Sequence, residues 1–463
     1  MSFLICLGAL CFLMFVAYRG FSVILFAPIA ALAAVLLTDP SAVAPIFTGL
    51  FMDKMVGFVR NYFPVFLLGA VFGKVIELSG FSKSIVSAVI KIVGSRRAML
   101  SIVVVCGLLT YGGVSLFVVV FAVYPFAAEM FRQGNIPKRL IPGTIALGAF
   151  TFTMDSLPGT PQIQNIIPTT FFKTTTLAAP VLGTVGGLFI LVCGLIYLEF
   201  RRRQAGNEGY GTNHIQEPEA IDTSHLANPV IAILPLVVVG VANLILTKVI
   251  PAAYGPTATV ALTAAAQAHP VTQSIASVVS IWAVEGALIL GILTVVLFAW
   301  RAVTLRFAEG TKAAIAGALL ASMNTASEYG FGAVIAALPG FLVIADSLKA
   351  IPNPLVNEAI TVSVLAGITG SASGGMSIAL AAMADQFIKA ANEAGIPMEV
   401  LHRVAAMASG GMDTLPHNGA VITLLAVTGM THKTSYRDIF AITCIKTMAV
   451  FVVIGVYYTT GLV

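Results

Sequence analysis

The residues most able to do chemistry occur in one short phrase that is present twice. Met154-Asp155-Ser156-Leu157-Pro158 returns as Met412-Asp413-Thr414-Leu415-Pro416. In both copies a carboxylate, a hydroxyl and a proline interrupt an apolar stretch. A carboxylate at membrane depth is costly and marks a functional position by default. Out of water, Asp155 and Asp413 could bind and release a proton near neutral pH, which makes them the expected proton-coupling residues. Each also stands three residues before a proline, where it could cap a helix that begins there. The two roles are compatible.

Two glycine- and serine-rich breaks accompany the phrase: Gly112, Gly113 and Ser115 after Tyr111, and Ser373, Gly374, Gly375 and Ser377 in the second half. Their simplest reading is close helix packing. As a matched pair they read better as the tips of hairpins that enter the membrane and return. Helix N-termini at such tips and breaks point a partial positive charge at the membrane centre and can hold a carboxylate. No arginine stands near any of the four breaks in the sequence, so backbone N–H groups would do that work. Ser156, Gly159, Thr160 and Gln162 add polar groups in the first half; Thr414, His417 and Asn418 do so in the second. Glu328 and Glu285 are weaker candidates for lining the same cavity.

These residues must be positioned by an all-α polytopic membrane protein. Of 463 residues, 58% are hydrophobic and 10% charged, against roughly 25% charged in a soluble domain. The net charge of +5 is spread through short connections. It reports orientation and gives no sign of nucleic-acid binding. The five cysteines lie in apolar runs without a CxxC spacing, so they read as small apolar side chains, and neither a metal nor a cofactor is called for. The apolar N-terminus lacks a basic leader and a cleavage site and reads as a first membrane helix.

Spans are expected at Phe3–Ala17, Phe21–Leu37 and Asn61–Leu78, followed by an amphipathic helix over Phe81–Val93. A hairpin over Ala98–Phe131, a broken crossing over Leu140–Phe172 and a span over Leu177–Phe200 close the first repeat, 1–200. A hydrophilic cytoplasmic linker occupies 201–225. The second repeat, 226–463, has spans at Pro229–Ile250, Ser277–Trp300 and Ser322–Ala345. It then has a hairpin over Ala359–Phe387, a broken crossing over Leu401–Met430 and a span over Asp438–Leu462.

Five matches recur in the same order: Gly69-Ala70-Val71 with Gly332-Ala333-Val334, Gly112-Gly113 with Gly374-Gly375, Glu129 with Asp385, Ile136-Pro137 with Ile396-Pro397, and the opening phrase. They are separated by 256 to 263 residues, the pattern of a duplication. With Arg201–Arg203 placed in the cytoplasm, treating both broken hairpins as re-entrant gathers most basic residues there, Lys446 among them. The two repeats then have inverted topology, with discontinuous transmembrane helices. Paired Pro/Gly interruptions in two such halves point to a transporter's binding site.

The chain resembles the gluconate:proton symporter (GntP-type) family of the ion-transporter superfamily. Gly69-Ala70-Val71-Phe72-Gly73-Lys74 through Ser79-Gly80, the broken hairpin after Tyr111, and Leu157-Pro158 with Pro161 carry the resemblance. It implies proton-coupled uptake of a small hydroxy-monocarboxylate across the bacterial inner membrane by a lipid-embedded protein. It is also compatible with a homodimer. Gly112 stands where gluconate permeases have an acidic residue, and Met154, Asp155 and Thr160 where they are His-rich. The pattern is nearer to the 3-hydroxybutyrate permeases of the family. Sodium coupling and a passive organic-anion channel are the alternatives. An intramembrane aspartyl enzyme would leave the duplicated hairpins unexplained, and a primary pump would need an ATP-binding motif that is absent.

Overall fold

The computed structural model describes residues 2–19, 21–93, 97–114, 116–206, 208–211, 226–261, 270–341, 351–416 and 418–463. Among them one β-hairpin interrupts an otherwise helical chain. The first half runs α1 (Ser2–Tyr18), α2 (Val23–Thr38), a long helical run α3 (Pro40–Leu78), α4 (Phe81–Val93), α5 (Ala98–Tyr111) and α6 (Leu116–Gln133). It continues with α7 (Ile141–Ala149), the four-residue α8 (Phe152–Asp155), α9 (Ile163–Phe172) and α10 (Pro180–Ala205). The second half has α11 (Pro229–Tyr254), strands β1 (Thr257–Val260) and β2 (Val271–Ser274), and α12 (Ile275–Ala337). Then come α13 (Pro354–Thr369), α14 (Ala372–Glu393), α15 (Met398–Ser409), α16 (Gly419–Thr428) and α17 (His432–Thr460). Runs α3, α10, α11, α12 and α17 are long and apolar enough to cross a membrane.

Sequence chemistry explains most of the boundaries. Asn353 caps α13 by accepting from the Val356 N–H, with Pro354 at the first helical position. Thr431 and Thr434 form a reciprocal capping box at the start of α17. Helix α4 is amphipathic as expected: Lys83 and Lys91 are exposed, while Phe81, Ile85, Val86 and Val89 are buried. Within the weakly polar stretch after α11, β1 and β2 pair antiparallel, with Thr257 opposite Ser274 and Val260 opposite Val271. Periodicity gave no signal for these short strands.

The inverted repeat is visible in the packing of its longest members. Helix α12 breaks at Ala299 (φ −129°, ψ 31°) into arms 275–298 and 300–337. The second arm runs antiparallel to α3: Gly310 lies against Leu78 and Lys74, and Gly330 against Phe51. The matched triplets Gly69-Ala70-Val71 and Gly332-Ala333-Val334 lie one on each, so repeat mates cross the protein in opposite directions.

The hairpins obey the same inversion. The buried Asp438 at the start of α17 accepts from Arg201 at the end of α10 (2.6 Å) and from the Tyr197 hydroxyl (2.8 Å). On that basic face Asn135, just beyond α6, accepts from the Tyr210 N–H, so the α5–α6 hairpin opens there. At the opposite face the Val181 N–H meets the Val463 carbonyl, and Asn353, at the mouth of the α13–α14 hairpin, lies beside the Tyr458 hydroxyl of the same α17 end.

Three expectations are corrected. The second hairpin turns at Gly370-Ser371, and Ser373, Gly374 and Gly375 lie in the first turn of α14, because Ser371 caps that helix by accepting from the Gly374 N–H. The hydrophilic connection begins later than Arg201: α10 continues to Ala205, and Arg201 is an ion-paired, buried residue. Residue 207 and residues 212–225 of that connection lie outside the described residues. Lys446 is not at the cytoplasmic surface. It sits about two turns past Asp438 on α17 and is 2% exposed.

Candidate functional site

The first break is opened by sequence and held by cross-links. Helix α7 ends at Ala149, α8 lasts four residues, and Gly159 takes a left-handed φ of +81° that a side chain would resist. The Gly159 N–H donates to the Thr176 carbonyl at 2.8 Å, and the Thr160 hydroxyl to the Thr153 carbonyl at 2.9 Å. Asn165 spans the gap, donating to the carbonyls of Thr160 (2.9 Å) and Thr176 (2.8 Å). Arg403 of α15, wholly buried, donates to the carbonyls of Asp155 (3.2 Å) and Ala178 (2.7 Å) and to Asn165 Oδ1 (3.1 Å). A broken helix leaves orphan carbonyls, and a fixed guanidinium fork answers several of them at once.

The second break uses the same logic with other residues. Asn418 caps α16 by accepting from the Val421 N–H at 2.8 Å, and its amide donates to the Gly370 carbonyl at 2.7 Å. The Thr414 hydroxyl meets that of Thr443. Thr447 donates to the Gly411 carbonyl, and Tyr436 to the Thr414 carbonyl at 3.2 Å.

Each break grips the hairpin tip of its own half. In the first, Gln162 donates to the Thr110 carbonyl at 2.7 Å, and Tyr111 donates back to the Pro158 carbonyl at 2.8 Å. In the second, the Asn418–Gly370 bond does this. Both tips are therefore tied to the segments they face.

Lys446 then joins the two breaks. Its ammonium donates to Asp413 Oδ1 at 2.6 Å and to the Phe150 carbonyl, at the end of α7, at 3.0 Å. Asp155 lies 1% exposed, with Oδ1 accepting from the Ser156 hydroxyl at 2.7 Å and Oδ2 without a hydrogen-bond partner. That Oδ2 rests on Gly410: a Cβ built there would be 2.0 Å from it and 3.3 Å from Lys446 Nζ. The two duplicated aspartates thus flank a single buried lysine. The charge cost of burying them is met by that ammonium, by the Arg403 guanidinium behind Asp155, and by the α7 carbonyl end that favours a cation. Such a centre has one fixed contact, Asp413–Lys446, and one carboxylate oxygen, Asp155 Oδ2, without a hydrogen-bond partner among the described residues.

The remaining expected residues fall as follows. Gly112 is a packing glycine: a Cβ there would lie 1.7 Å from Leu236 Cδ2. Gly113 has a φ of +95° and sits against Pro161, Leu288 and Phe72. Gly375 packs directly on the Ala366 backbone of α13, and Gly374 on the Glu328 carboxylate. Ser377 is buried, with its hydroxyl unpartnered. Ser115 and His417 lie outside the described residues. Ser156, Thr160, Gln162, Thr414 and Asn418 are all engaged in the bonds above, so the breaks are closed around themselves in this conformation. A cavity of about 370 Å³, lined by Asp53, Lys54, Arg60, Tyr62, Thr170 and Tyr329 among others, lies between α3, α9 and α12, and no break residue lines it.

Sequence reasoning missed Lys446, Arg403 and Asn243. Asn243 of α11 donates to the Gly159 carbonyl at 3.3 Å and the Thr176 hydroxyl at 3.2 Å. The signal that found the aspartates, a charge inside an apolar run, also marks Lys446 and Arg403. The absence of arginine near the breaks in sequence is not an absence in space.

No protein-family model matches the chain. The chain is 57% identical, over 479 aligned positions covering all of both proteins, to a Bacillus subtilis (strain 168) protein described as an uncharacterized transporter, YxjC. Among solved structures it is similar to the YdaH transporter of Alcanivorax borkumensis, described as having an unusual topology. That alignment has a TM-score of 0.57 and 17% identity, over 92% of this chain and 90% of the other, and it bears on the fold alone. MtrF of Neisseria gonorrhoeae, described within a class of antimetabolite efflux pumps, aligns at a TM-score of 0.48 and 14% identity over 91% of this chain and 85% of that one.

Proposed function

The chain belongs to the transporter family of Bacillus subtilis YxjC, and from that premise we propose that it is a secondary active carrier that couples a proton to the uptake of a small hydroxy-monocarboxylate. The observation that carries the reading is the Asp155–Lys446–Asp413 centre, which ties the broken crossing of one repeat to that of the other. If one repeat moves against the other during alternating access, this contact must be remade. Protonation of a carboxylate is the least costly way to release a buried lysine, because it removes the charge that the lysine balances.

The substrate reading rests on the GntP-type resemblance and on the two unlike breaks. One carries Gly159-Thr160 and the other His417-Asn418; Thr160 and Asn418 bond the breaks themselves in this conformation, and once released they would suit an acid with a carboxylate at one end and a hydroxyl elsewhere. 3-Hydroxybutyrate and gluconate are the compounds to try first, and the bacterial inner membrane is the expected location.

The test is uptake of labelled 3-hydroxybutyrate and gluconate into proteoliposomes under an imposed pH gradient. Accumulation that a protonophore collapses supports the carrier. Flux that only equilibrates makes the protein a channel, and accumulation driven by sodium alone removes the coupling role of Asp155 and Asp413.

A further inference from the structure

We propose that the cavity between α3, α9 and α12 binds a small organic monoanion, with Arg60 and Lys54 on its carboxylate and its body against an aromatic wall. The cavity has a volume of about 370 Å³, within the range of small-molecule sites. Successive turns of α3 supply Lys54, Gly57, Phe58, Arg60 and Tyr62. Thr170 and Phe171 come from the last turn of α9, and Tyr329 from the second arm of α12. Both repeats therefore build it.

Lys54 and Arg60 are exposed at its rim. None of the described salt bridges includes either of them, or Asp53, the third charged residue of the lining. Two cations and one carboxylate leave one positive charge uncompensated, which a monoanion balances. Arg60 Nε is engaged only by Asn61 Oδ1 at 3.4 Å, so its guanidinium fork is open to a carboxylate. The negative end of α9 does not oppose an anion here, because the Lys173 ammonium donates to the Thr170 carbonyl at 2.9 Å. The depth of the two cations is also informative. Helix α3 ends at Leu78, next to the lysine-bearing α4. With a rise of about 1.5 Å per residue, Arg60 stands about 27 Å and Lys54 about 36 Å from that end, across a hydrocarbon layer of roughly 30 Å. With α4 on the expected cytoplasmic side, they stand on the face that the positive-inside rule leaves poor in cations.

The wall is a run of touching rings. Phe58 and Tyr62 have centroids 4.6 Å apart, Phe58 and Tyr329 5.7 Å, and Phe171 and Tyr329 6.2 Å. Such rings offer an apolar surface with polar tips. Tyr62, 3% exposed, is the floor: its hydroxyl bonds Thr170 Oγ1 at 2.9 Å and lies 3.3 Å from the Ile167 carbonyl oxygen. Beyond that floor the ten residues of α9 lead about 15 Å back to the first break at Gln162. The cavity is thus an outer station before the breaks; that role rests on the carrier reading, whereas the binding itself does not.

The test uses the purified full-length protein in detergent. A Cβ built at Gly57 meets nothing within 4 Å, so Gly57→Cys places a thiol in the cavity without a clash. Its reaction with thiosulfonate reagents is followed by peptide mass spectrometry, which separates it from the five native cysteines. Corrected for reactivity with a free thiol, a sulfonate-bearing reagent should label about tenfold faster than an ammonium-bearing one. Arg60→Gln with Lys54→Gln should remove the difference. 3-Hydroxybutyrate, gluconate and benzoate are then titrated in turn; at least one should slow the labelling saturably, and Arg60→Gln should weaken that protection about tenfold. Val56→Cys, at an exposed position of the same lining, repeats the reading if Gly57→Cys does not fold. No protection by any of the three acids, or equal protection in Arg60→Gln, would overturn the site. So would protection by phosphatidylglycerol alone, since the two cations would then be lipid anchors. Protection without uptake into proteoliposomes would keep the site and remove the carrier; uptake without protection would do the reverse.

Discussion

Replacing Lys446 by methionine is the sharpest test of the charge centre. Methionine keeps an unbranched apolar stem and removes the ammonium. Asp413 then loses its 2.6 Å ion pair at a position where the two side chains are 2% and 7% exposed. The Phe150 carbonyl loses its donor, and Asp155 loses the cation on the far side of Gly410. Removing one partner of a buried pair costs about 3–5 kcal/mol, because the other is left unpaired. That is roughly a hundred- to a few-thousand-fold in the folded-to-unfolded ratio. Asp413→Asn should cost less, since the lysine stays close to Asp155. The charge-balanced pair Lys446→Met with Asp413→Asn should recover most of the loss. The assay is denaturant unfolding in micelles of the three variants beside the wild type, with uptake measured on each. Recovery of stability without recovery of coupled uptake is the expected pattern. A Lys446→Met protein with wild-type stability and wild-type accumulation would refute the reasoning.

Other residues give separate tests. Gly112→Ala drives a methyl into Leu236 Cδ2, 1.7 Å away; overpacking should cost about 1–3 kcal/mol, and Leu236→Ala in the same chain should restore the melting temperature. Asn418→Ala removes both the α16 cap and the tie to Gly370. It should cost about 1–2 kcal/mol and raise amide exchange at Val421 and in the α13–α14 turn. On the basic face, the Arg139 hydrogen bond and charge hold the Glu208 carboxyl below its ordinary value. A carboxylate depressed in this way contributes stability above its unfolded pKa, and that stability is lost as pH falls through the folded one. Amide exchange of residues 208–211, corrected for intrinsic rate, should therefore stay level from neutral pH to about 5 and rise only below the ordinary glutamate range of roughly 4. A rise near pH 6 would contradict the pairing.

The duplication and the breaks are legible in the sequence because each has a local cause. Lipid offers no partners to an interrupted backbone or a bare carboxylate, so proline, glycine and aspartate inside an apolar run mark a break enclosed by protein. The same tokens also recur in order in both halves. What could not be read is set by contacts between distant segments. Arg403 reaches the Asp155 carbonyl across 248 residues, and Lys446 reaches Phe150 across 296. Lys446 reads as a surface cation only when charge is judged by its share of the chain's basic residues: it stands in the middle of α17 (His432–Thr460) and is 2% exposed. The second hairpin turn was misplaced by three residues because Gly374-Gly375 looks like a turn. Its glycines serve packing instead, one against Glu328 and one against Ala366, and the turn is set by the quieter Gly370 (φ +64°) and its Ser371 cap.

The coupling claim is tested most directly by proton movement itself. Proteoliposomes containing a trapped pH dye, in sodium-free buffer and with no imposed gradient, receive 3-hydroxybutyrate or gluconate outside. The account predicts that the interior acidifies as substrate enters, and that Asp155→Asn and Asp413→Asn each abolish the acidification while the protein remains folded. Substrate entry at wild-type rate with no change of internal pH would contradict it.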